Sequence, residues 1–291
     1  MRYRNRQGEE ITENEAQDRL LATLYGTAAG RLLLKLLVQP WVSRLAGAFL
    51  NTPLSAGMIA PFVERYGISL EECEQTVYPS YNAFFHRRLC TAARPVDDRR
   101  EVFISPCDAK LSVYPIRQDK SFVIKGLPYT LERLLKSRRL AEHYEGGTML
   151  VFRLTVNDYH HFCYVADGKK SKNRRIPGVL HTVNPIAMET VPVFAENARE
   201  YSLLKSEEFG RILMMEVGAL MVGKIVNLAE QGMVRRGEEK GWFEFGGSTV
   251  ILCLEKDRVE LDEDIRNNQA EGIETIVRMG EKIGRRKLPQ G

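Results

Sequence analysis

Gly246-Gly247-Ser248-Thr249 leads straight into the apolar run Val250-Ile251-Leu252-Cys253-Leu254. Glycine opens backbone conformations closed to other residues. A Gly-Ser bond is sterically bare, so the Ser248 hydroxyl can approach the carbonyl carbon of Gly247. An N-to-O acyl shift is the chemistry that this permits. The same four residues also suit an ordinary turn entering a strand. A second group is Asn157-Asp158-Tyr159-His160-His161-Phe162-Cys163, which brings a carboxylate, two imidazoles and a thiol into one short segment. Imidazole is the usual proton carrier near neutral pH. The spacing of His160, His161 and Cys163 matches no common zinc pattern, and no metal is expected. In an extended segment His161 and Cys163 share a face while His160 points the other way. In the third group, Ser105-Pro106-Cys107-Asp108, the acid either forms a turn or orients an imidazole, as the acid of a Ser-His-Asp relay does.

The elements around these residues change character along the chain. Residues 20–50 carry leucines at helical spacing, with Arg31, Lys35, Trp41 and Arg44 among them and a break at Pro40. Such a helix either packs on its own domain or lies in a lipid interface. The charges and the proline rule it out as a bilayer-spanning segment. A second helical stretch is expected over 61–89, interrupted near Gly67 and Pro79. After Pro95, short β-rich runs alternate with turns, at 102–104, 111–116, 121–124, 148–155, 162–165, 179–183, 212–217, 221–228, 242–245 and 249–254. One helix, 130–144, stands among them. The basic tail from Gly284 to Lys287 reads as a flexible end. The expected fold is therefore α+β: a helical, membrane-contacting region over 1–95, then a mostly antiparallel β sandwich or barrel-like core over 96–291.

Composition sets the outer limits. The chain has 291 residues, 44% apolar and 27% charged, which is ordinary globular content. A net charge of +4 is too small to argue for a nucleic-acid partner. The five cysteines are scattered, so reduced thiols in a cytosol-facing protein are expected rather than a disulfide framework. No secretory leader, dinucleotide fingerprint, phosphate loop or internal repeat is visible.

Taken together, the motifs resemble those of the phosphatidylserine decarboxylase family, over most of the chain. Phe84-Phe85-His86-Arg87-Arg88-Leu89 with Ala93-Arg94-Pro95, Ser105-Pro106-Cys107-Asp108, and Asp158-Tyr159-His160 each resemble a family segment. So do Val183-Asn184-Pro185-Ile186-Ala187, Asn197-Ala198-Arg199-Glu200-Tyr201-Ser202, Met215-Glu216-Val217-Gly218-Ala219, Phe245-Gly246-Gly247-Ser248-Thr249 and Met279-Gly280-Glu281-Lys282-Ile283-Gly284. The GGST spelling resembles the shorter bacterial branch.

The resemblance implies a proenzyme that cuts itself between Gly247 and Ser248, giving subunits 1–247 and 248–291, and turns Ser248 into a pyruvoyl group. It implies conversion of phosphatidylserine to phosphatidylethanolamine and CO2 through a Schiff base with that group. It makes His160 the proton donor after decarboxylation and Asp108 the acid of the self-processing relay. The family's second histidine, the processing base, corresponds here to Cys163. A thiol is a poor base unless it is made a thiolate, so His161 or Cys163 is expected to fill that role. The resemblance also implies a homodimer, and a diacyl substrate implies a peripheral position on the cytoplasmic side of the cell membrane. Three alternatives remain: a decarboxylase of a related phosphoserine lipid, an uncleaved lipid-binding homologue, and a hydrolase built on Ser248, His160 and Asp108. The hydrolase lacks the strand–turn–helix elbow, because a strand follows the serine.

Overall fold

The computed structural model describes residues 2–12, 15–117, 119, 121–124, 126–220, 224–245 and 248–287. Its centre is the strand Ser248–Leu254, in which every residue is buried. Val250, Leu252 and Leu254 enter one hydrophobic core together with Leu150, Phe152 and Leu154. Ile251 and Cys253 enter another core on the opposite face with Met149 and Val151. Successive strand residues point to opposite faces. A strand covered on both faces is therefore apolar without interruption, as this one is from Val250 to Leu254.

The large sheet runs Gly232–Val234, Gly168–Lys170, Arg199–Ser206, Gly210–Val217, Ser248–Leu254, Thr148–Leu154, Ala109–Pro115, Glu274–Val277, Arg2–Arg4, Glu10–Thr12. Arg174–Ile176 also pairs with Arg199–Ser206. Only the pairing of Arg2–Arg4 with Glu274–Val277 is parallel; the others in this sheet are antiparallel. Helices cover one face, contributing Leu34, Leu131, Leu134 and Phe194 to its core. Two small sheets cover the other. One is Ile225–Asn227, Glu239–Phe243, His161–Cys163, and the second is Val259–Leu261, Lys282–Arg286, Val102–Ile104.

The α+β class and the mostly antiparallel pairing agree with the sequence, but the sheet stays open and closes into no barrel. Over 179–183 there is no strand; Val179 makes only an isolated bridge with Asn197. The helix expected over 130–144 is two helices, Leu131–Leu135 and Arg138–His143. Lys136 between them takes a left-handed conformation (φ 51°), and the Ser137 side chain caps the second. Over 61–89 the helices are Ile59–Tyr66, ended at Gly67 as expected, and Tyr81–Phe85, which starts just after Pro79; no helix lies between them among the described residues. The tail is not loose: Lys282–Arg286 pairs on both sides. Of the run expected over 221–228, Ile225–Asn227 is a strand, and 221–223 lie outside the described residues.

The N-terminal helices Glu15–Gly26, Ala28–Leu37 and Pro40–Leu50 begin as their sequences dictate. The Thr27 hydroxyl accepts from Gly30 N at 3.0 Å, and Pro40 occupies the first turn of the third helix. Leu34, Val38 and Leu50 face inward, whereas Leu32, Leu33, Leu36, Trp41, Leu45 and Phe49 are exposed. No single helix among the described residues is long and apolar enough to cross a membrane.

Candidate active site

Ser248 opens the central strand and lies opposite Leu154, while Thr249 lies opposite Val217 on the other side. Leu154 ends its own strand, and the chain turns through 155–160 into His161–Cys163. Asp158 builds that turn. Its carboxylate accepts from Thr155 N at 2.6 Å, from the Thr155 hydroxyl at 2.8 Å and from Lys110 Nζ at 2.7 and 2.8 Å. Burial pushes the Asp158 carboxyl up, but the Lys110 charge and these hydrogen bonds outweigh it and hold the group below its ordinary range. By the two-residue period Ser248 shares a face with Val250 and Leu252. That face also carries Phe162 and Phe243 of the small sheet, so the serine and the imidazole segment meet at one end of it.

His160 is fully buried. Its ring lies 4.0 Å from that of Phe85, and Phe85 lies 5.0 Å from Phe245, three residues ahead of Ser248. Phe243 N donates to the His160 carbonyl at 2.9 Å, and Phe245 N donates to Asn82 Oδ1 at 3.1 Å. His160 Nδ1 stands 2.9 Å from the Asp158 carbonyl oxygen. A carbonyl only accepts, so Nδ1 carries the proton and Nε2 keeps its lone pair. Burial pushes the His160 pKa down to about 3; the Asp158 carboxylate opposes this, and the Arg87 charge reinforces it. The ring is therefore neutral. His160 Nε2, Ser248 Oγ and Thr249 Oγ1 are all buried without a hydrogen-bond partner. Ser248 and His160 thus bring a free hydroxyl donor and a free acceptor to the same end of the sheet, whereas Thr249 points to the opposite face.

The two residues expected to supply the processing base stand differently. His161 Nδ1 faces Glu239 Oε1 at 2.5 Å, and its Nε2 faces the His86 carbonyl at 3.0 Å. Both ring nitrogens are thus engaged by acceptors. Tyr159 and Trp242 stack on it at 4.7 and 5.7 Å. Cys163 is buried with its Sγ 3.9 Å from the Ser105 carbonyl. Burial pushes this thiol up to about 12, and the Asp108 charge adds to the rise. A neutral thiol of that kind takes no proton from a hydroxyl. Asp108 itself is gripped by Arg94, at 2.9 and 3.0 Å from Nε and 2.6 Å from Nη2, and accepts from Met279 N at 2.9 Å. No histidine bonds to it among the described residues. Gly246 and Gly247 lie outside those residues.

The residues that sequence reasoning left without a role are Phe85, Arg94 and Glu239. Phe85 and Arg94 sit in motifs already noted for their spelling, while nothing near Glu239 in the chain signals its partnership with His161.

Comparison with known proteins adds the decisive observation. The family profile described as Phosphatidylserine decarboxylase matches residues 81–285. The chain belongs to the phosphatidylserine decarboxylase family. It is 42% identical over 273 residues to phosphatidylserine decarboxylase proenzyme 2 of Clostridium acetobutylicum, covering 94% of each chain. It is 43% identical over 278 residues to the phosphatidylserine decarboxylase proenzyme of Ruminiclostridium cellulolyticum, covering 94% of this chain and 93% of that one. With the proenzyme of Fusobacterium nucleatum it shares 40% identity over 286 residues, 96% of this chain and 95% of that one. Phosphatidylserine decarboxylase proenzymes are pyruvoyl-dependent, and position 248 fits that group. Its hydroxyl is buried and unpartnered at the first residue of a strand held on both sides.

Proposed function

We propose that this chain is a self-processing decarboxylase that converts phosphatidylserine to phosphatidylethanolamine and CO2. The observation that carries the reading is the unpartnered Ser248 hydroxyl, buried at the head of the central strand directly after Gly-Gly, in a chain of this family.

Ser248 Oγ attacks the Gly247 carbonyl, a C–O bond replaces the C–N bond, and the hydroxyl proton passes to the released amine. Loss of the Ser248 α-proton then expels the Gly247 carboxylate. Water completes the conversion of residue 248 to a pyruvoyl group and releases ammonia. His160 Nε2 is the group that takes up the hydroxyl proton. It is neutral and unpartnered, whereas His161 is engaged at both nitrogens and Cys163 holds its proton. Asp108 acts through Arg94 and the Met279 amide, fixing the turn behind Cys163. When present, the pyruvoyl group supplies a ketone that takes the serine amine and the electron pair left by CO2. In each turnover His160 Nε2 takes a proton that the serine ammonium sheds on condensing with the ketone and delivers it to the carbon that lost the carboxylate. Phe85 and Phe245 keep water from the ring that does this.

The region 1–95 brings the core, 96–291, to a lipid surface as a peripheral protein on the cytoplasmic side. The outward Leu32, Leu33, Leu36, Trp41, Leu45 and Phe49, with exposed Arg31 and Lys35 between them, support this. A homodimer of cleaved protomers is the working assembly.

Intact-mass measurement tests the reading. The purified protein is expected as two fragments, the smaller beginning with a pyruvoyl group at position 248, and S248A as one uncut chain without activity. An uncut wild-type chain that still releases CO2 from phosphatidylserine overturns it.

A further inference from the structure

Arg87 is 5% exposed, yet its Nε and Nη1 have no hydrogen-bond partner. No ion pair reaches it among the described residues. Its neighbour Arg88 is exposed and pairs with Glu239 at 3.1 Å. The Arg87 guanidinium lies 5.0 Å over the Phe84 ring. That contact satisfies one flat face of the group and leaves its N–H edge empty. A guanidinium keeps its charge wherever it sits, and a buried charge without a counter-ion is costly. Edge donors left open in this way are what an incoming anion would fill.

The position ties that anion to the site. Arg87 follows Phe85 by two residues, and Phe85 touches both His160 and Phe245. We propose that Arg87 binds the phosphodiester of the lipid headgroup, an assignment that rests on the decarboxylase reading. The headgroup carries two anions, and the chemistry chooses between them. The carboxylate departs as neutral CO2, so a cation clamped on it would favour the ground state and oppose its loss. The phosphodiester keeps its charge throughout. A planar fork on two of its oxygens binds and orients the headgroup without cost to the chemical step.

The test compares wild type, R87Q and R87K on short-chain phosphatidylserine and on an O-alkyl-L-serine of similar length that lacks phosphate. Cleavage into two fragments is checked first for each variant. In R87Q, KM for the phosphatidylserine is expected to rise about 100-fold with kcat little changed, and R87K to fall between. Both variants should match wild type on the phosphate-free substrate. Inorganic phosphate should compete with the lipid in wild type and not in R87Q. Equal loss on both substrates places Arg87 elsewhere and overturns the assignment. So does phosphate that binds through Arg87 without competing with lipid, which marks a free-phosphate site. If neither variant cleaves, the guanidinium serves the fold or the cut and the assignment also falls. A cleaved wild type inert on both substrates overturns the decarboxylase reading itself, and this assignment with it.

Discussion

The imidazole of His160 and the ring of Phe85 lie 4.0 Å apart, centroid to centroid, with both residues fully buried and His160 Nε2 unpartnered. That packing sets how the site responds to acid. His160 is held down to about 3 by burial, so as base it stays competent until the pH falls to that range. Self-cleavage in wild type is expected to be insensitive to His160 from pH 8 to about 4. In F85A water reaches the ring, its pKa moves up toward the ordinary histidine value, and cleavage should already slow as pH falls through about 6. Fragment appearance on denaturing gels over a pH series reads this out. Identical profiles in the two proteins would remove the packing from the account.

The same depressed pKa fixes a stability trend. The unfolded chain binds a proton at His160 below about 6.5, and the folded chain does not until about 3. Between those values the unfolded state holds more protons. Stability is therefore full above 6.5 and falls as the pH drops, at about 1.4 kcal/mol per pH unit from this group. Denaturant unfolding of S248A, with and without H160Q, should show that slope disappear in the second protein.

Single substitutions separate the candidate bases. C163A and H161Q are expected to keep cleaving, and H160Q to lose cleavage by about 100-fold or more. Loss in C163A with cleavage intact in H160Q would return the role to the thiol.

Membrane contact makes its own prediction. Leu32 and Leu36 are 69% and 51% exposed, whereas Leu34 is 4% exposed. L32E with L36E should weaken flotation with anionic vesicles by at least about tenfold while leaving the fold intact by circular dichroism. Unchanged flotation would detach these helices from the lipid surface.

Lys240 Nζ donates to Glu216 Oε1 at 2.8 Å, with both side chains fully buried and Asn227 bonded to each. Glu216 lies on the strand beside Ser248, opposite Val250. K240M should cost about 3–5 kcal/mol in denaturant unfolding, because it strands a buried carboxylate. Burial already pushes that carboxyl up, so the loss should grow with pH. Adding E216L should recover most of it.

The sequence carried the strands with long apolar runs, such as 149–152 and 250–254, because burial on both faces selects apolar side chains there. Arg199–Ser206 stayed hidden. It opens with Arg-Glu, and nothing local reveals that Arg199 is buried against the carbonyls of Leu134 and Asn197, at 2.8 and 2.7 Å. Ser248 and His160 were legible from residue type and neighbourhood. The states of His161 and Cys163 were not, because they depend on Glu239 and on burial against Ser105, which are distant in sequence.

Ser248–Leu254 is hydrogen-bonded to Gly210–Val217 on one flank and to Thr148–Leu154 on the other. The piece released by the cut would thus be the keystone of the sheet rather than an appendage. Assembly has to precede scission. Two halves synthesised apart would never contain the peptide bond whose rearrangement creates the ketone, and the extent of scission becomes a gauge of how much of a preparation has folded.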